Sequence, residues 1–401
     1  MSSQAETPNL NGMDSTAFIP AGASVALVHD WLTGMRGGEK VLDALCRRFP
    51  DAALWTLLYN PGSVSPRIAD RVIHKSLLQY CPFSATKYRS YLPLFPLFAE
   101  TNKADAQIVI STSHAVAKSM VKRGVRDKQL HLCYIHTPMR YAWDLFDEYF
   151  GADRVGAFAS RLIYRPILSL LKRYDLSTLD RVDVFIANSS FVAERIKRIY
   201  GREAEVLPPP VDVERFAGSA RMPEDWYLVV SALVPYKRVQ HAIEACAKMN
   251  RRLRIVGSGP ELNALTRFAV EKKAEVEFLG FVPDEALAEY YCRAKALLFP
   301  GIEDFGIVPV ESIAAGCPVV AFAQGGILDS MTNETCVFYS HQSAEGLMWA
   351  MREFEDRQDA FSIPHLRKRA ALFSEQAFLI GFERILKRAM ADKGLAPGSC
   401  D

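Results

Sequence analysis

The chain has no run of about 18 uncharged apolar residues in its 401 positions, which excludes a membrane-crossing helix on sequence grounds. It has no Cys-x-x-Cys pair. Its eight cysteines, at positions 46, 81, 133, 246, 292, 317, 336 and 400, are scattered without zinc-ligand spacing. A disulfide scaffold belongs to small secreted domains, so buried thiols in a reducing cytosol are expected. It also lacks a charge excess. Lys plus Arg number 48 against 46 Asp plus Glu, a net +2, which argues against nucleic-acid binding through bulk charge. No solenoid-length repeat and no Asp-x-Asp triplet occur. Residues Met1 to Ala23 lack a basic segment followed by an apolar core, so a flexible extension is expected there and not a signal peptide.

What is present is an ordinary globular composition, 49% hydrophobic and 23% charged, in a chain longer than one core usually organises. Short apolar runs alternate with helix-length segments, the pattern of parallel α/β sheets. Strands are expected at Val25–His29, Gln107–Ser111, His131–Ile135 and Asp183–Asn188 in the first half. In the second half they are expected at Tyr227–Val230, Leu253–Val256, Val276–Leu279, Leu297–Phe299 and Val319–Ala321. Pro208, Pro209 and Pro210 form a stiff connector between the halves. The expected organisation is an N-terminal extension 1–23, a Rossmann-like domain 24–210, a second Rossmann-like domain 211–374, and a closing helical tail 375–401 that can return to the first domain.

Ligands of such sheets bind beyond the carboxyl ends of the strands, so the loops that follow them carry the candidates. Gly37 and Gly38 open a helix near Glu39, where backbone amides can approach an anion or simply form a flexible turn. His136 follows its strand directly and is held by the Thr137-Pro138 turn. Lys237 and Arg238 open a helix whose dipole favours anions, which suits a phosphate contact or a solvated turn. Gly257 and Gly259 form a close-approach loop, with Pro260 placed as a first helical residue. The segment Pro300 to Glu311 has a glycine turn and leads into a small-residue helix, expected over 312–315 and ended by Gly316. It puts Glu303 and Glu311 eight positions apart, a carboxylate pair suited to hydroxyl-rich ligands.

Taken together these motifs resemble the retaining glycosyltransferases of family 4, two-lobed enzymes of the GT-B fold, over nearly everything from Val25 to Met390. The Glu303–Glu311 segment is similar to the family's E-x7-E signature, continued by Ala314-Ala315-Gly316-Cys317-Pro318 and Gly325-Gly326. The resemblance implies that Glu303 holds donor-sugar hydroxyls and Glu311 the nucleotide ribose. It implies that the backbone at Phe305, Gly306 and Ile307 contacts the sugar and distal phosphate, and that Lys237 neutralises the leaving diphosphate. His136 would approach the anomeric carbon, and Gly37, Gly38, Gly257 and Gly259 would line the donor or acceptor. One position departs from the pattern. Where the family's basic loop carries arginine five residues before lysine, this chain has Ala232, and Arg238 is expected to supply the charge. The missing Asp-x-Asp triplet agrees with a site that needs no metal and no cofactor.

On the acceptor side, residues 71–126 hold nine Lys/Arg against two Asp/Glu, and Tyr88 to Phe98 interleaves aromatics with bases. Arg154 to Arg173 adds five bases and no acid, with Phe158, Leu162, Leu170 and Leu171 as an apolar stripe and Pro166 as an expected kink. Such surfaces bind anionic membrane. The wording of His29 to Lys40 and Val234 to Arg238 is similar to bacterial mannosyl- and related transferases of surface-polysaccharide assembly. The expectation is transfer of a hexose, mannose from GDP-mannose, onto a polyprenyl-diphosphate-linked oligosaccharide at the cytoplasmic face of the inner membrane. The alternatives are a UDP-sugar transferase with a soluble acceptor, or a non-catalytic nucleotide-sugar-binding subunit.

Overall fold

The computed structural model describes residues 19–20, 22–122, 129–144, 146, 156–218 and 220–395. Most of the expected N-terminal extension, the bases Arg123, Arg126 and Arg154, and Cys400 therefore lie outside the described residues. Thirteen described strands form two all-parallel sheets. The first contains β1 (Val25–His29), β2 (Ala53–Thr56), β3 (Ile73–Lys75), β4 (Ile108–Ser113), β5 (Leu130–Ile135), β6 (Val184–Ala187) and β7 (Ala204–Val206), in the order β3-β2-β1-β4-β5-β6-β7. The second contains β8 (Trp226–Val230), β9 (Arg252–Val256), β10 (Val276–Gly280), β11 (Leu297–Phe299), β12 (Val319–Phe322) and β13 (Cys336–Tyr339), in the order β10-β9-β8-β11-β12-β13.

Parallel central strands are covered by helices on both faces, so they are apolar along their whole length. Every residue of β4, β5 and β12 is buried. The four strands not anticipated from the sequence are β2, β3, β7 and β13. The edge strands β3 and β7 are three residues each and largely solvated, too short and polar for a periodic signal. In both sheets the order reverses beside the first strand, β1 next to β4 and β8 next to β11, which opens a crevice at the carboxyl ends.

The chain passes between the lobes at a single bridge. Val211, just after the three prolines, pairs with Ser374, and its N–H donates to Phe373 O at 2.8 Å. The helix Glu375–Asp392 then packs on the first lobe: Phe378, Phe382, Ile385 and Leu386 join Leu27, Leu45, Ile110 and Leu132 in one core. Gly381 lets Leu207 pack closely there, since a Cβ would lie 2.5 Å from Leu207 Cδ1 and make that side chain shift.

Two local expectations are corrected. Pro260 sits in a turn and the helix runs Leu262–Glu271, with Glu261 as its N-cap accepting Leu265 N–H at 2.9 Å. The helix after β11 runs Ile307–Ala314, starting well before the small-residue stretch that was expected to form it. Pro166 lies well inside one helical run, Ala157 to Ser177, and the expected distortion takes the form of a widened π turn at Ser160–Tyr164 directly before it, which accommodates the missing N–H. None of the seven described cysteines forms a disulfide.

Candidate active site

The loop leaving β11 is held by glycines on two sides. Gly301 lets the loop after β8 come close, since a Cβ would meet Lys237 Cα and O at 3.0 Å. On the other side Gly326 N–H donates to Glu303 O at 2.9 Å. A Cβ on Gly326 would lie 2.1 Å from Asp304 O, and one on Gly325 2.5 Å from Glu303 O. The backbone of Glu303 to Phe305 is thus sandwiched between neighbouring loops. Gly306, at φ 87°, turns it into the helix Ile307–Ala314, whose first amides have no intrahelical partner. Phe305 offers only its backbone, because its ring is buried against Phe373 at 5.6 Å.

Within this frame Lys237 Nζ pairs with Glu303 Oε1, both side chains mostly buried. One turn into the helix Glu311 is buried and accepts the Tyr291 hydroxyl at 3.2 Å. Lys40 Nζ reaches it from the first lobe at 3.6 Å and reaches Asp284 at 3.5 Å. Burial pushes the Glu311 carboxyl above the ordinary range against the pull of Lys40.

The opposing wall comes from the ends of β1, β4 and β5, which bring His29, His114 and His136 together. Ring centroids lie 6.3 Å apart for His29–His114 and 6.2 Å for His114–His136. Asp30 is fully buried and accepts four successive amides, from His114 to Ala117, at 2.7–2.9 Å, which fixes the loop beyond β4. Burial holds the His136 imidazole well below its usual range, reinforced by His114 and His29, so it is neutral at pH 7. Its Nε2 is buried without a hydrogen-bond partner. Gly38 lies over it, because a Cβ would be 3.4 Å from both His136 Nε2 and His29 Cε1. Gly37 touches the opposite lobe, 3.1 Å from its Cβ position to Ile307 Cδ1. Glu39 closes this corner, accepting Arg36 N–H at 3.1 Å, with His29 Nε2 at 3.9 Å.

The structure thus gathers Gly37, Gly38, His136, Lys237, Glu303, Gly306, Ile307 and Glu311 around one crevice between the lobes. Gly257 and Gly259 serve loop packing, since a Cβ would lie 1.8 Å from Ser231 O and 2.3 Å from Leu233 O. They are glycines because the β9 loop packs on the backbone of the β8 loop. Arg238, left-handed at φ 52°, lines a pocket of about 240 Å³ between the lobes with Tyr236, Arg140, Arg195, Asp304 and Gln342. Sequence reasoning missed Lys40 and Asp304. Lys40 lies two residues beyond the glycine pair, and Asp304 stands beside Glu303, but only the fold shows that each meets the other lobe.

Two Rossmann-like lobes with a carboxylate pair, a lysine and an open helix N-terminus across a crevice define a nucleotide-sugar transferase architecture of the GT-B class. The comparisons agree. Residues 35–215 match the family described as Glycosyltransferase Family 4, and residues 211–372 match Glycosyl transferases group 1. The chain belongs to this family of glycosyltransferases. It is 34% identical over 182 residues to a GDP-mannose-dependent alpha-(1-6)-phosphatidylinositol monomannoside mannosyltransferase of Mycolicibacterium smegmatis, covering 37% of this chain and 48% of that one. It is 25% identical over 245 residues to the corresponding dimannoside mannosyltransferase of Mycobacterium tuberculosis, covering 56% and 63%. The matches therefore span about half to two thirds of those relatives. Sucrose-phosphate synthase from Thermosynechococcus elongatus shares the fold, with TM-score 0.66 at 18% identity over 92% of this chain and 100% of that one.

Proposed function

We propose that this chain is a retaining mannosyltransferase that uses GDP-mannose without a metal or cofactor and acts on a polyprenyl-diphosphate-linked glycan at the cytoplasmic face of a membrane. The observation that carries the transfer chemistry is the pair Lys237–Glu303 set beside the open N-terminus at Gly306, opposite His136. The choice of GDP-mannose is supported by the stated donor of the mycobacterial relatives.

In the crevice, Glu303 accepts hydroxyls of the donor sugar and Glu311 those of the ribose. Lys237 and the amides at Ile307 stabilise charge on the departing diphosphate. The bond from the anomeric carbon to phosphate oxygen breaks and the acceptor oxygen bonds the same face. The acceptor proton passes to the leaving phosphate. His136, neutral and with a free Nε2, hydrogen-bonds the sugar. Lys40 brings a cation from the first lobe to the ribose carboxylate Glu311. A thermal-shift series in EDTA tests the donor. GDP and GDP-mannose at about 100 times their Kd should stabilise the protein by about 2.7 kcal/mol. A shift with UDP and UDP-glucose alone would overturn the donor, and no shift with any nucleotide would overturn the nucleotide-sugar site itself.

The membrane contact rests on an exposed apolar face of the first lobe. Tyr80 and Phe83 are 77% and 75% exposed, Leu77 and Leu97 also protrude, and Lys87 lies over the Phe83 ring at 5.7 Å. The helix Arg165–Ser177, with Leu170 exposed, packs beside this region, and Phe158 and Leu162 are exposed just before it. The sequence expectation is narrowed in two ways. Tyr88, Phe95, Phe98 and Leu171 are core residues. Lys118 is buried, 2.6 Å from Asp175. Vesicles of phosphatidylglycerol should co-sediment the protein in low salt, and Phe83→Ser with Leu97→Ser should release most of it. Sedimentation that the two substitutions leave unchanged would remove this face from the account.

A further inference from the structure

Asp304 is the residue between Glu303 and the turn at Phe305, and its carboxylate is turned to the first lobe. Its side chain is 11% exposed. Both oxygens are taken by arginines of the other lobe. Arg140 Nε and Nη2 donate to Oδ2 at 2.9 and 2.5 Å, and Arg195 Nη1 donates to Oδ1 at 2.7 Å. The main chain is gripped as well, since Ser189 Oγ donates to Asp304 O. A second contact lies beside it, where Ser190 N–H meets Asp329 Oδ2 at 2.5 Å.

These first-lobe groups also hold the histidine. Arg195 Nη1 donates to Thr137 Oγ1 at 2.8 Å, next to His136. Asn188 Nδ2 donates to His136 O at 3.0 Å. Arg195 Nε is in turn fixed by Asp144 at 2.8 Å, and Asp144 by Arg198 at 2.7 Å. A continuous set of polar contacts therefore runs from the exit of β5, through the start of the helix Ser190–Tyr200, to the residue beside Glu303. Asp304, Arg195, Asp144 and Arg140 are largely shielded from water, where a planar two-toothed guanidinium contact fixes direction as well as distance, and Arg198 caps the set from the surface.

We propose that Asp304, Arg140 and Arg195 are positioning residues for transfer: they clasp the lobes so that His136 and Glu303 stand opposite one another across the donor sugar. On the nucleotide side, Glu311, Lys237 and the amides at Ile307 all belong to the second lobe and do not depend on the clasp, whereas Lys40 reaches across from the first. This inference rests on the glycosyltransfer reading for its kinetic readout, and its geometric readout is independent of that reading.

The test is Asp304→Asn, Arg195→Gln and the double variant. GDP affinity by calorimetry should stay within about threefold of wild type. The kcat for transfer should fall about 100-fold, the scale of roughly 1 Å misplacement of a reacting pair. The double variant should lose no more than the worse single one, because both break the same contact. Arg140→Lys, which keeps the charge but not the fork, should retain more activity than Arg140→Gln. Small-angle scattering of unliganded Asp304→Asn should show a larger radius of gyration than wild type. A kcat within threefold of wild type, or GDP affinity falling in step with kcat, would overturn the proposal. If wild type transfers no sugar at all, the transfer reading has failed, and scattering decides the clasp alone: unchanged dimensions in Asp304→Asn overturn it, and expansion supports it.

Discussion

Lys237→Met should retain the fold and lose about 100- to 1,000-fold in kcat, the usual cost of removing one preorganised donor from developing negative charge, about 2.7–4 kcal/mol. The expectation follows from position. Lys237 leaves β8 on a loop packed against Gly301, and its ammonium group already sits beside Glu303 and near the helix start at Ile307. Melting temperature should fall as well, because the pair is mostly shielded, at side-chain exposures of 13% and 23%, and Glu303 loses its partner. Lys237→Arg should recover only part of the rate, since a planar fork does not occupy the place of a compact ammonium. Initial-rate kinetics beside thermal melts separates the two effects. A kcat within threefold of wild type would show that the leaving group is stabilised elsewhere.

Gly326→Ala should be nearly as damaging by a different route. Its new methyl would stand 2.1 Å from Asp304 O and 2.4 Å from Phe305 Cα, both backbone atoms of the donor loop. Neither can rotate away as a side-chain tip would, so the loop itself must move. Overpacking of this kind costs about 1–3 kcal/mol of stability. Displacing Glu303 by roughly 1 Å costs a further factor of about 100 in kcat. Gly218→Ala is the control, because nothing lies within 4 Å of its Cβ position. Melting temperature and kcat are to be measured on both variants. Full activity in Gly326→Ala would mean that the donor loop is not held by this contact.

The sequence was most legible where burial imposes a pattern. β1 at Val25–His29 and β11 at Leu297–Phe299 coincide with the expected ranges, and the central strands agree within two residues at their ends. Edge strands such as Ile73–Lys75 escaped, because a short solvated strand owes its conformation to its neighbour and not to its own residues. In the crevice, His136, Glu303 and Glu311 were accessible because each follows the carboxyl end of a strand. The pairings Lys40–Glu311 and Arg140–Asp304 were not. Each joins residues of separate lobes, the second across 164 positions, and nothing local in either segment encodes its partner. The glycines show the same division. Gly257 reads as a ligand loop, yet its nearest neighbour is the Ser231 carbonyl, a fact that belongs to the packing of β8 against β9.

The most direct test of mannosyl transfer at this crevice is release of nucleoside diphosphate, followed by phosphorus NMR in EDTA. Wild-type protein and Lys237→Met are supplied with GDP-mannose or UDP-glucose and a lipid-linked glycan extract. The account predicts GDP from GDP-mannose with wild type, little UDP from UDP-glucose, and at least a 100-fold slower reaction with Lys237→Met, with about 100-fold being the lower end of the usual cost. Release from UDP-glucose alone, no release from either donor, or equal rates with and without Lys237 would contradict it.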